Sequence, residues 1–348
     1  MTQSRKLSTR ETRVLYTQEP RTGGPFKVSQ SKVKTWRKCR QAYWYRYVEF
    51  LRKKVKARPL TFGSLVHSML EAHANDENPM KVLKTAEKEQ GKLFRAEHEL
   101  YDDIINDTRI IMDEYFAFYA KNDVEFIPLG GKYAEHEFNV DLGDGITATG
   151  KIDAYARRNR LKWMVEHKSF GNQMPNEDAR WRDLQSSVYI RIGEMLGWPR
   201  VDGLLWDYIR SKPPGTPQFL KNGRVARRAI DTLPAKIREF VAANRKQVGG
   251  DADRLMSMAK GNVTRYFQRI FVPTKPAVID KVFADFVETA KEMRDLHGKR
   301  RARTVDRHCS WCDYESLCRA ELRGGDVDFL KEKDFEVSKR EQRTIVTE

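Results

Sequence analysis

Apolar positions recur at three- and four-residue steps through the first third of the chain and then change to alternation. Val33, Trp36, Cys39, Tyr43, Tyr47 and Phe50 fall on one face of a single predicted helix between Ser29 and Leu51, with Ser29 or Ser31 as its cap. A second helix is predicted over 62–74, carried by Phe62, Leu65, Val66, Met69 and Leu70, and longer helical patterns follow at 79–93 and 97–121. Strand patterns take over at 135–142, 146–157 and 161–169. Gly143-Asp144-Gly145 and Arg158-Asn159-Arg160 break them, which predicts a small antiparallel meander. A helix over 177–196 and a buried strand over 201–210 come next, then a polar loop at 211–227, helices at 233–246 and 276–297, and a strand around 264–272 between those two. The organisation this suggests is a flexible arm (1–27), a helical N-terminal region (28–125), a core (126–210), an insertion and helical region (211–300), a cysteine segment (301–325) and a charged, frayed tail (326–348).

Composition narrows the partner. With 348 residues the chain has room for one elaborated domain or two. Lys and Arg number 65 against 49 Asp and Glu, a formal charge of +16 and a pI near 9.6. That balance favours a polyanion, nucleic acid first, over an acidic small molecule. No apolar run is long enough to cross a membrane, and Met1 to Arg13 lacks the apolar core of a secretory signal. The expectation is a soluble protein of the cytoplasm, in a prokaryotic cell or a phage-infected host. In a reducing compartment its 4 cysteines are better read as thiols or metal ligands than as disulfides.

The candidate chemistry sits on the predicted hairpin. Gly150-Lys151-Ile152-Asp153 lies on one strand and Val165-Glu166-His167-Lys168 on the next. Strand alternation gives Glu166 and Lys168 one face and Val165 and His167 the other, and Asp153 on the neighbouring strand completes a two-carboxylate site. Mg or Mn prefers such hard oxygen ligands, to which the backbone carbonyl of His167 could add a third. Lys168 would orient the attacking water or stabilise charge on a phosphate. The plain alternative is an exposed hairpin whose Glu and Lys form cross-strand ion pairs. Gln185 and Tyr189, four apart, share a face of the following helix. His67, behind Gly63, would on its own be a surface histidine paired with Glu71, and Glu137 a solvated strand residue.

Taken in order, Gly63 and His67, Glu137, Gly150 and Asp153, Glu166 and Lys168, and Gln185 and Tyr189 resemble the motif set of RecB-like PD-(D/E)XK nucleases. The resemblance spans about 29–210 and returns at 305–320. It implies an α/β fold, a restriction-endonuclease-like core with a central mixed sheet flanked by helices. It further implies a metal held by His67, Asp153 and Glu166, catalysis by Lys168, and positioning by Gln185 and Tyr189, with Glu137 as an accessory acid near the site.

Cys309, Cys312 and Cys318 form a Cys-x2-Cys-x5-Cys run, with Cys39 far upstream. Four thiolates suit tetrahedral zinc or an iron-sulfur cluster, and spacing does not choose between them. One early cysteine and a late triplet are similar to the iron-sulfur RecB-like group, which includes AddB-type subunits and the CRISPR-associated RecB-like exonucleases; the resemblance implies a 4Fe-4S cluster. A short chain without a Gly-x4-Gly-Lys phosphate loop is similar to the CRISPR-associated type and its phage-encoded relatives, although Arg40 stands where a proline is common in that group. Such a cluster would clip the N-terminal helix to the C-terminal tail.

Lys32 to Arg58 holds eleven Lys or Arg and one acid, Glu49, with aromatics interleaved. If Trp36, Tyr43 and Tyr47 form the buried helix face, Trp44 and Tyr45 are left to stack on bases, with Lys53, Lys54, Arg300 and Arg301 as phosphate contacts. The function expected is a metal-dependent exonuclease acting on single-stranded DNA or frayed ends in recombination, replication or end processing, with a protein of those pathways as a candidate partner. An inactive iron-sulfur scaffold that binds DNA, or a DNA-binding protein built on a four-cysteine zinc site, are the alternatives.

Overall fold

The computed structural model describes residues 24–55, 57–90, 95–121, 124–175, 180, 183–299 and 301–338. In chain order the elements are β1 (Phe26–Val28), α1 (Gln30–Lys38), α2 (Arg40–Tyr47), β2 (Leu51–Lys53), α3 (Arg58–Ala74), α4 (Met80–Gln90) and α5 (Arg95–Tyr119). Strands β3 (Glu125–Phe126), β4 (Ala134–Asp141), β5 (Ile146–Arg158) and β6 (Leu161–Phe170) follow, then α6 (Leu184–Met195) and β7 (Gly203–Arg210). The chain continues through α7 (Pro234–Ala243), α8 (Arg245–Val248), α9 (Asp251–Lys260), α10 (Val263–Tyr266), β8 (Phe267–Pro273) and α11 (Pro276–Leu296), and closes with α12 (Glu315–Arg323), α13 (Val327–Asp334) and β9 (Phe335–Val337).

The chain divides into two discontinuous units, one drawn from 57–137 and 151–279, the other from 1–56, 138–150 and 280–348. In the first, β5 and β6 form the antiparallel hairpin that the Arg158-Asn159-Arg160 turn predicts; Asn159 and Arg160 both take positive φ, 51° and 68°. β6 then pairs in parallel with β7, the intervening chain including α6, and β7 pairs antiparallel with β8. The outcome is a central mixed sheet flanked by helices, the predicted fold class. Every residue of β7 is buried, as expected of a strand covered on both faces. One layer of helices seals it through Phe62, Val66 and Met69 of α3 and Ile104, Ile111 and Met112 of α5. The loop at 211–227 is present, but the chain beyond it forms an additional helix, α9, whose Leu255 and Ala259 join Ile237 and Phe240 in a separate small core.

The second unit departs further from expectation. Ser29 caps α1, its hydroxyl accepting the Lys32 N–H at 3.3 Å. The single helix predicted over 29–51 is broken, however, because Cys39 lies extended at φ −163° and ψ 118° and separates α1 from α2. β1 occupies the end of the segment predicted as an arm, pairing Phe26 with Ile146 and Val28 with Ala148; residues 1–23 lie outside the described part. The predicted frayed tail is likewise structured to Ser338: α13 leads into β9, which pairs antiparallel with β2, Leu51 opposite Val337. Tyr45, Leu51, Tyr314, Leu317 and Phe335 form the core that joins the N- and C-terminal segments, adding apolar contact to the β2–β9 pairing.

Candidate active site

The site grows out of the β5–β6 hairpin. Its register sets Ala154 opposite Val165, so Asp153 and Glu166 stand on one face of adjacent strands. Asp153 is held there by the backbone of the next strand, its Oδ2 accepting the His167 N–H at 2.7 Å. Helix α3 delivers His67, whose Nδ1 lies 3.7 Å from Asp153 Oδ1 and 3.8 Å from Glu135 Oε1. His67, Glu135 and Asp153 each offer a ligand atom, all within 4.8 Å of one another, a nitrogen and two carboxylate oxygens suited to Mg or Mn.

Glu166 is 1% exposed and enclosed by a second group of contacts. Lys168 Nζ forms an ion pair with its Oε1. Gln185 Nε2 donates to both of its oxygens, at 2.7 and 2.9 Å, and Gln185 Oε1 accepts from Lys168 at 3.1 Å. Asp183 makes this possible by capping α6: it accepts the Ser186 N–H at 2.9 Å and starts the helix so that Gln185 and Tyr189 meet the sheet. Tyr189 is buried one turn on and bonds the backbone of Lys151.

The electrostatics are those of a site built for a cation. Burial and then Asp153 push the Glu166 carboxyl up to about 7, with Lys168 opposing. Burial works against a charge on His67, but Glu135, Asp153 and Glu166 outweigh it and lift that imidazole to about 9. Next to these groups the His167 ring pairs through Nδ1 with buried Asp207 Oδ2 at 3.0 Å and sits edge-on to His67, centroids 6.0 Å apart. Tyr115 also donates to Asp207, and Arg269 Nε lies 3.5 Å from its other oxygen. Residues 115, 207 and 269 are remote in sequence and gave no local signal of this network.

Glu137 is a correction. Its side chain is 76% exposed, and its ion-pair partner among the described residues is Lys151, at 3.6 Å; Glu135, two residues earlier, is the acid beside His67. Alternation places both on one face, and the backbone decides between them, since Glu135 takes a positive φ of 56° at the start of β4. His67 pairs with Glu135 and Asp153 rather than with Glu71.

The four cysteines all belong to the second unit. Cys39 is buried at the α1–α2 break; Cys309 sits in a 3-10 turn over Arg307–Trp311, Cys312 just after it and Cys318 on α12. Burial pushes both Cys312 and Cys318 up; Cys39 adds to each, and Cys312 adds to Cys318.

Of the residues expected to meet DNA, Lys53, Lys54 and Arg301 are exposed, and Arg300 lies outside the described residues. Tyr45 is a correction: it is 2% exposed, donates to Glu321 Oε2 at 2.8 Å and cannot stack on a base. The break at Cys39 reorients α2 so that Gln41, Tyr43, Tyr45 and Tyr47 are all buried. Trp44 is half-buried, with Arg301 over its ring at 4.9 Å and Glu49 accepting its indole N–H at 2.6 Å.

The paired acids and lysine on a β-hairpin accompany a family match: the profile of the PD-(D/E)XK nuclease superfamily covers residues 27–319. The chain belongs to the PD-(D/E)XK nuclease superfamily. The matched span encloses the whole hairpin site and all four cysteines. No curated protein matches the sequence. Members of this superfamily are in general metal-dependent nucleases, and the donor set on β4, β5 and α3 fits a divalent metal. Among the described residues no helix is long and apolar enough to cross a membrane.

Proposed function

We propose that this PD-(D/E)XK protein is a metal-dependent DNA exonuclease of RecB-like type, acting on single-stranded or frayed ends in recombination, replication or end processing. The observation that carries the reading is the juxtaposition of the His67, Glu135 and Asp153 donors with the Glu166, Lys168 and Gln185 knot on the same hairpin. When bound, a divalent ion would supply Lewis acidity and lower the pKa of a bound water. The protein's own groups do the rest. Asp153, kept in place by the His167 N–H, would hold the metal with His67 and Glu135. Lys168, fixed between Glu166 and Gln185, orients the attacking water or neutralises charge on the phosphate. Tyr189 keeps α6 against the sheet.

The thiols of Cys39, Cys309, Cys312 and Cys318 are assigned to a 4Fe-4S cluster of structural rather than catalytic role. Protein purified without oxygen is expected to be brown and to carry about four irons per chain; stoichiometric zinc without iron would reverse that assignment. For the chemistry, the test is degradation of end-labelled single strands and duplexes with Mg or Mn. Lys168→Ala is expected to abolish cleavage while iron content, cooperative melting and metal affinity stay at parental levels, since it removes a transition-state contact. Asp153→Ala is expected to abolish cleavage and weaken metal binding as well. Parental rates in a well-folded, iron-loaded Lys168→Ala protein would overturn the assignment and favour the inactive DNA-binding scaffold.

A further inference from the structure

A cavity lies on the same face of the sheet as Glu166 and Lys168. Leu204 of β7 is the register partner of Met164 of β6, and Val272 of β8 that of Leu204. Met164 precedes Glu166 by two residues and Lys168 by four, so alternation puts all of them on one face. There, between β7, β8, the first turn of α6 and the start of α11, is a space of about 290 Å³. Leu204, Val272 and Val278 supply apolar wall, and Ser187 brings a hydroxyl two residues after Gln185. Arg180 and Lys275 line it as cations, and no carboxylate lines it among the described residues.

Arg180 joins this cavity to the catalytic groups. Its guanidinium stands over the Tyr208 ring at 5.6 Å, and Tyr208 is the register partner of Lys168. It is 9% exposed, its Nη2 donates to the Pro175 carbonyl at 3.0 Å, and its Nε has no partner among the described residues. A guanidinium offers five N–H donors in a fixed fork that matches phosphate geometry; with the Pro175 carbonyl and the Tyr208 hydroxyl each taking one, Nε is the donor available to a ligand among the described residues. The size is at the lower end for small-molecule sites, which lie at roughly 300 Å³ and above, and suits a single nucleotide.

We propose that this cavity takes one nucleotide unit, its base against Leu204, Val272 and Val278 and its phosphate on Arg180 with Lys275 at the rim. Neighbouring strands are about 4.8 Å apart, so a phosphate at Arg180 stands next in line to one at Lys168. The proposal rests on the nuclease reading of the hairpin. A mononucleotide unit could come from the terminal residue of a bound strand or from a released product, and the experiment separates the two.

Binding is measured without divalent metal, so that nothing is cleaved, using fluorescent single-stranded oligonucleotides with and without terminal phosphates and deoxynucleoside monophosphates as competitors. The protein is expected to prefer a phosphorylated end, to bind the monophosphate, or both. Arg180→Gln and the cavity-filling Val278→Phe are each expected to weaken that binding by about tenfold or more, the size of one lost charge-assisted contact. Mn affinity should not change. Competition by monophosphates marks a product site; a terminal-phosphate preference without competition marks a strand-end site. Indifference of the parental protein to both probes, or equal binding by parent and variants, overturns the proposal. Should either variant lose cooperative melting, Lys275→Gln on the exposed rim serves in its place. Cleavage that survives with no nucleotide effect removes the cavity proposal alone, whereas cavity binding in a protein that never cleaves DNA removes the nuclease reading.

Discussion

Glu135 and Glu137 differ by two positions and by everything that matters chemically. Glu135 is half-buried beside His67, with Lys151 Nζ 3.0 Å from its other oxygen, while Glu137 faces water. If Glu135 is a metal donor, Glu135→Gln should weaken Mn binding by at least about tenfold, and Glu137→Gln should leave it within about twofold. Calorimetric titration of both variants checks this, and equal losses would return Glu137 to the site. Another residue carries a pH signature. Asp231 takes two contacts from Arg210 Nη1, each at 3.0 Å, and one from Lys212 at 2.9 Å. Burial raises its carboxyl, but Lys212 and Arg210 outweigh that and hold it below its usual 3.8. A depressed folded-state pKa contributes stability that is present above the unfolded value and lost as pH falls through the folded one. Asp231→Asn should therefore cost about 1–2 kcal/mol at neutral pH, given its partial exposure, and close to nothing well below pH 3.8. Urea unfolding across that range is the measurement, and a loss independent of pH would point to packing instead.

At the scale of elements, periodicity located α3, α5 and the β5–β6 hairpin, and α6 over the later part of 177–196, where Leu184 to Ile190 are buried without interruption. It missed the break at Cys39, where no Pro or Gly warns of it and the extended backbone is stabilised by contacts on both sides of α2. That one residue is why Tyr45 was expected on the surface and lies in the core. Gly203, at the start of β7, shows how closely the central strands are fitted. A Cβ there would come within 2.3 Å of the Val272 carbonyl oxygen and 2.9 Å of the Trp163 ring, and backbone cannot move aside cheaply. Gly203→Ala should cost about 1–3 kcal/mol and displace β8 along the cavity wall. Thermal and denaturant unfolding will measure the loss; a neutral substitution would show that β7 and β8 are looser than their register implies.

For the whole molecule, closure of the chain ends was expected to depend on the cysteine cluster. The structure gives that task to apolar contact as well: Tyr45, Leu51, Tyr314, Leu317 and Phe335 enclose a core, and the Tyr314 hydroxyl donates to the Leu51 carbonyl at 2.9 Å. Leu317→Ala should thus cost about 2–5 kcal/mol whether or not metal is bound, the penalty of a large buried side chain. Cys312→Ala should act chiefly through metal content. Unfolding of both variants, metal-loaded and metal-stripped, separates these, and a Leu317→Ala protein as stable as its parent would hand closure back to the cluster. The β5–β6 hairpin and the shared faces of Glu166 with Lys168 and of Gln185 with Tyr189 were legible in the sequence, because alternation and helical spacing place side chains on faces without reference to the rest of the chain; the fold class and the place of His67 came from the resemblance of the ordered motifs to a nuclease family. Which acid stands beside His67, where the first helix breaks, the Asp207 network behind His167 and the cavity beside Lys168 were decided only by the tertiary structure. Each depends on residues distant in sequence arriving within a few ångströms of one another, and a local pattern carries no record of that.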